Sequence, residues 1–121
     1  MSKLDKLEQT IVKEIKSGFL KLVILIILNE ENLHGYGIIK KIDMITRHKW
    51  TPSSGSIYPA LKTLEKHRLI KSKLDKNKKV YTITTEGRKF LKNISVEIND
   101  GIKDFQTMLD DSIKNGYNID R

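Results

Sequence analysis

With 121 residues, 38% of them hydrophobic and 31% charged, the chain has the size and balance of one globular domain around one modest core. It contains no cysteine, which excludes disulfides and thiolate metal sites. Its net charge of +8 is unevenly spread: residues 34–92 hold 15 Lys and Arg against 4 Asp and Glu, and the remaining residues hold 8 against 11. A basic middle between slightly acidic ends suggests a face for a polyanion, set against the plainer possibility of a solvated, lysine-rich surface.

The first ten residues, MSKLDKLEQT, mix both charges and lack the apolar stretch of a secretory leader. The longest apolar run, Leu22 to Leu28, is too short to cross a bilayer, so a cytoplasmic location with no membrane partner is expected. Leu4, Leu7, Ile11 and Ile15 recur at steps of three and four residues and predict a helix with one apolar stripe. Ser17-Gly18 is expected to interrupt it, and Phe19 to Asn29 then predicts a second, mostly buried helix. After a break at Asn32 to Gly35, Tyr36 to Thr46 predicts a third helix with Ile38, Ile39, Ile42 and Ile45 facing inward.

The stretch WTPSSGSIYPALKTLEKHRLI, residues 50–70, predicts a fourth helix over about 53–67. Leu61, Leu64 and Leu69 form an apolar stripe at helical spacing, while Lys62, Lys66 and Arg68 occupy other faces. Beyond it the period changes to two, and Leu69 to Asp75 with Lys79 to Thr84 predict a hairpin around Lys76-Asn77-Lys78. Thr84 or Thr85 can then cap a long last helix. Its stripe is Phe90, Leu91, Ile94, Ile98, Ile102, Phe105, Met108, Leu109 and Ile113.

Helices followed by a basic hairpin and one more helix are the order of a winged helix-turn-helix, a mostly α fold with a small β-hairpin. In that arrangement the fourth helix enters a major groove and the wing, residues 75–79, reaches the DNA backbone. A helix tip held between phosphate ridges needs small residues for close approach, and Ser53, Ser54, Gly55 and Ser56 meet that need. Ordinary capping accounts for one of those serines and not for the rest.

Around these residues the chain resembles the PadR family of transcriptional regulators. The likeness is carried by the apolar helix Leu22–Leu28, by HGYGI at 34–38, by WTPSSGSIYPALKTLEKHRLI at 50–70 and by YTITTEG at 81–87. The resemblance implies a dimeric cytoplasmic repressor on inverted-repeat DNA, often released by a small hydrophobic or aromatic effector. It implies DNA-facing roles for Tyr36, Ser54, Ser56, Tyr58 and Lys62, and structural roles for Ile57, Pro59, Leu61 and Leu64. Ser53, Lys66 and the wing residues Lys76, Lys78 and Lys79 complete the candidate DNA face. Two departures stand out. Arg68 occupies a position where the family usually has glycine, and the wing is short and lacks the usual Gly-Arg richness. Its lysines are therefore assigned to phosphate rather than to the minor groove.

The expected organisation is an N-terminal dimerisation helix over 1–17, a DNA-binding domain over 18–83 and a C-terminal dimerisation helix over 84–116. The two helices have no obvious partner within so small a domain. Leu4, Leu7, Ile11, Ile15, Ile94, Ile98, Ile102, Phe105 and Leu109 are thus expected to meet those of a second copy.

Enzymatic chemistry and cofactors are not expected. His34, His48 and His67 lack metal-ligand spacing, Gly35-Tyr36-Gly37 lacks the strand and third glycine of a phosphate loop, and Ser56 is not in a nucleophile elbow. Asn93-Ile94-Ser95 matches a glycosylation sequon within a helix expected to stay in the cytoplasm. Trp50 fits either a core or a ligand platform. The alternative function is a winged-helix module that docks a protein, which gives no reason for the charge concentrated between residues 34 and 92.

Overall fold

The computed structural model describes residues 1–119. Its elements are α1 (Lys3–Glu30), β1 (Leu33–His34), α2 (Gly35–Ile45), α3 (Ser54–Lys66), β2 (Ile70–Asp75), β3 (Lys78–Ile83) and α4 (Thr85–Ile119). The chain divides into two units, Met1–Lys89 and the stretch from Phe90 onward. The first is a winged helix, and the second is formed by most of α4.

A capping box starts α1: Ser2 Oγ accepts from the Asp5 N–H at 3.0 Å, and the Ser2 N–H donates to Asp5 Oδ2 at 3.2 Å. The helix then runs 28 residues, through Ser17-Gly18, without the predicted interruption. One interior glycine costs about 1 kcal/mol relative to alanine. Burial of Leu20, Ile24, Leu25, Ile27 and Leu28 just beyond it outweighs that cost, at roughly 1.5–3 kcal/mol for each fully buried side chain.

These five residues pack with Ile38 and Ile42 of α2, Ile57, Leu61 and Leu64 of α3, and Ile70, Tyr81 and Ile83 of the sheet. Leu22, the first residue of the long apolar run in the helix predicted to be mostly buried, is only half-buried. Of the four α2 isoleucines predicted to face inward, Ile38 and Ile42 do so, four residues apart on one face. Ile39 is half-buried. Ile45, the last residue of the helix, is 63% exposed as the chain turns away.

The predicted hairpin is present, and a third strand accompanies it. The antiparallel sheet has the order β1-β3-β2, with Leu33 opposite Tyr81 and His34 opposite Val80. His34, placed from sequence in a break between helices, therefore lies in a strand and also precedes α2 as its cap. In the wing Asp75 pairs with Lys78, which leaves a two-residue tip. Lys76 (φ 49°) and Asn77 (φ 67°) both adopt the left-handed region that such a turn demands.

Thr84 joins the wing to α4. Its Oγ1 accepts from the Gly87 N–H at 2.9 Å and donates to the Arg68 carbonyl at 2.7 Å. A Cβ on Gly87 would collide with the Leu69 carbonyl oxygen, so only glycine permits this close approach.

Candidate nucleic-acid interface

The α3 tip is built by its own sequence. Ser53 is the N-cap (φ −78°, ψ 160°), and its Oγ accepts from the Ser56 N–H at 3.2 Å. Ser53, Ser54, Gly55 and Ser56 are all exposed. The first N–H groups of any helix lack partners within it, so this tip presents donors and hydroxyls together. Pro59, inside the helix, has no N–H to give the Gly55 carbonyl its usual bond from four residues on.

Tyr58 is placed by a neighbour that sequence reasoning passed over. A Cβ on Gly35 would lie 2.6 Å from Tyr58 Cε1 and 2.8 Å from its hydroxyl oxygen. The bare backbone at the start of α2 therefore seats the Tyr58 ring, which remains 46% exposed. Tyr36, one residue beyond Gly35, is 64% exposed, with the Lys40 ammonium 5.4 Å from its ring centroid. Thus α2 and α3 each carry an exposed tyrosine near their N-termini.

Lys62 and Lys66 lie exposed on α3, and Lys76, Lys78 and Lys79 lie exposed at the wing. Lys71 and Lys73 of β2 are exposed as well and were missed from sequence. Their two-residue spacing puts them on one face of the strand, a signal the alternation already contained. Among the acids of this region, Glu65 is engaged internally, accepting from Ser72 Oγ at 2.6 Å and so tying α3 to the wing. Tyr81, buried in the sheet, has its phenol pushed up first by burial, then by the Glu65 carboxylate and by Tyr58.

Both helix ends that frame α3 close with left-handed residues other than glycine. At the end of α3, the Arg68 N–H donates to Glu65 O and the Leu69 N–H to Leu64 O, each at 3.0 Å, with Arg68 at φ 61°. This Schellman arrangement favours glycine, and Arg68 costs about 1 kcal/mol there.

The end of α2 repeats the pattern. The Arg47 N–H donates to Met44 O at 3.1 Å and the His48 N–H to Asp43 O at 2.7 Å, with φ 55° and 67° at the two residues. The Asp43 carboxylate also accepts from Thr51 Oγ1 and from His48 Nδ1. These hydrogen bonds, from Thr51 first and then His48, hold the Asp43 carboxyl below the usual range.

Trp50 is half-buried and lines a cleft of about 620 Å³ with Val12, Leu20, Pro52, Ser53 and Ser56. The candidate assembly residues lie elsewhere. Leu4, Leu7, Ile11 and Ile15 are exposed on α1; on α4, Ile102, Phe105 and Leu109 are exposed while Ile94 and Ile98 are half-buried. No helix among the described residues is long and apolar enough to cross a membrane.

The sequence model of the transcriptional regulator PadR-like family matches residues 24–93. Over 75 residues the chain is 41% identical to the transcriptional regulator YqjI of Escherichia coli (strain K12). That stretch is 61% of this chain and 36% of YqjI, so the chain spans little more than a third of that relative. Among solved structures, a PadR family transcriptional regulator from Eggerthella lenta shares the fold, with a TM-score of 0.76 at 23% identity, covering 90% of this chain and 94% of that one. Bacillus subtilis PadR, solved in complex with operator DNA, matches with a TM-score of 0.54 at 28% identity, over 64% of this chain and 46% of that one.

Proposed function

This chain belongs to the transcriptional regulator PadR-like family, and from that premise we propose that it is a homodimeric repressor that reads an inverted-repeat operator. The observation that carries the reading is the α3 tip: exposed Ser53, Ser54 and Ser56, with Tyr58 seated on Gly35, in the part of the chain that concentrates the basic charge. In this reading α3 lies in the major groove and makes the base contacts, joined by Tyr36 from α2. Lys62, Lys66, Lys76, Lys78 and Lys79 meet phosphates; that a relative of this fold is solved in complex with operator DNA supports DNA as the partner. Two copies join through the apolar stripes of α1 and α4, which places two recognition helices on one palindromic site. A small hydrophobic or aromatic effector releases the DNA; the family resemblance supports that step. Regulation takes place in the cytoplasm.

Salt titration of duplex binding tests the reading. With five lysines per subunit on phosphates, affinity falls by about three to five orders of magnitude between roughly 50 and 200 mM salt. Replacing Lys76, Lys78 and Lys79 by alanine weakens binding evenly across sequences. Tyr58→Ala and Ser56→Ala instead shrink the gap between specific and non-specific affinity by roughly 1–3 kcal/mol at the affected base pairs. An affinity flat in salt removes the phosphate contacts, and an unchanged gap removes Tyr58 and Ser56 from the groove.

A further inference from the structure

Residues 34–92 contain only four acids, and a carboxylate near a DNA-facing surface repels the phosphates that surface must approach. Glu65 is bonded to Ser72, Glu86 lies in the first turn of α4, and Asp75 ends β2. Asp43 stands at the turn that leads into α3, and its three acceptor groups are all used on that turn. Its backbone carbonyl takes the His48 N–H, one carboxylate oxygen takes His48 Nδ1 at 2.7 Å, and the other takes Thr51 Oγ1.

We propose that Asp43 is a positioning residue for operator recognition: one carboxylate clamps both ends of the α2–α3 turn and thereby fixes where the α3 tip meets the base edges. The inference rests on the DNA-binding reading above and adds to it a specificity determinant that does not touch DNA.

The turn needs a clamp. Arg47 and His48 are consecutive left-handed residues without a glycine, each strained by roughly 1–2 kcal/mol. Left to the backbone alone, such a turn relaxes toward other conformations. Thr46 secures its inner side, its Oγ1 donating to Ile42 O at 2.8 Å and accepting from the Trp50 N–H at 3.1 Å. Asp43 secures the outer side, and its grip on Thr51 is one residue from buried Pro52 and two from the N-cap Ser53. The recognition tip thus hangs on a short tether anchored at Asp43. Hydrogen bonds to base edges fail when the tip shifts by an ångström, whereas long lysine side chains follow phosphates through the same shift. Loss of the clamp therefore removes specific affinity and spares non-specific affinity.

The test uses the full chain and an operator selected with it from a pool of random duplexes. Parent, Thr51→Val, Thr51→Ser, Asp43→Ala and the Asp43→Ala/Thr51→Val double variant are measured against that operator and a scrambled duplex. Thermal unfolding and the emission of Trp50, the only tryptophan of the chain, are recorded without DNA. Thr51→Val loses about tenfold in operator affinity, holds its scrambled-duplex affinity, and shifts Trp50 emission. Thr51→Ser, which keeps the hydroxyl, matches the parent. Asp43→Ala loses at least as much on the operator, binds scrambled duplex as well or better because a negative charge is gone, and gains no further defect in the double variant.

Operator and scrambled affinities falling together with stability would make Asp43 a structural residue only and overturn the inference. Unchanged operator affinity, or Thr51→Ser behaving as Thr51→Val, overturns it alone. A parent that enriches no sequence overturns the DNA-binding reading, and the inference with it.

Discussion

The two halves of α1 belong to one unbroken helix and have opposite surroundings. In the second half Leu20, Ile24, Leu25, Ile27 and Leu28 are sealed by α2, α3 and the sheet; from Leu4 to Ile15 the same helical spacing leaves Leu4 76% and Ile15 52% exposed. The long stripe of α4 repeats the second case, with Ile102, Phe105, Met108, Leu109 and Ile113 in solvent. Periodicity shows that a face is apolar; what covers it is decided by the rest of the fold. The covered faces build the unit that carries the candidate DNA interface, and the uncovered ones are the surfaces on which we place the second copy.

Truncation separates the two classes most sharply. Ile42→Ala, at a position 1% exposed, costs about 2–5 kcal/mol and lowers the unfolding midpoint severely. Phe105→Ala, 60% exposed in the single chain, costs less than about 0.5 kcal/mol if nothing covers it. A much larger cost that grows as the protein is diluted would show instead that a second copy does.

Charge insertion then addresses assembly directly. The parent has the mass of a dimer in solution, and Ile98→Glu/Ile102→Glu is monomeric or unfolded and loses operator binding. A parent that remains monomeric at micromolar concentration removes the dimer and the palindromic operator together.

The smallest effect lies at a single backbone position within the covered unit. Arg68→Gly relieves the left-handed strain at the end of α3 and raises stability by about 1 kcal/mol, read as a higher urea midpoint with unchanged slope.

What was legible from sequence follows the same division. The order of helices and the position of the wing were readable because each rests on local periodicity and on turn residues such as Asn77. Residues 53–56 could be read as an exposed helix tip because helix capping needs one small polar residue, and here four small residues stand in a row; their contact with DNA is the proposal made above. The third strand was not readable, since Leu33-His34 is two residues long and gains its extended conformation only from pairing with Tyr81 and Val80. Nor was the continuity of α1, because Ser17-Gly18 breaks helices that lack a core to hold them. The clamp at Asp43 combines residues five and eight positions apart with a cap geometry that composition does not announce. The role of Gly35 was hidden for a different reason: it lies in what the residue lacks.

That missing side chain ties two positions together. With the Tyr58 ring where it stands, even one carbon at residue 35 would overlap it, and the exposed ring would have to swing aside. A descendant with alanine or serine at 35 could keep the tyrosine only with its ring moved off this seat on α2. A side chain at 35 would therefore change what Tyr58 presents at the surface without any change at residue 58 itself.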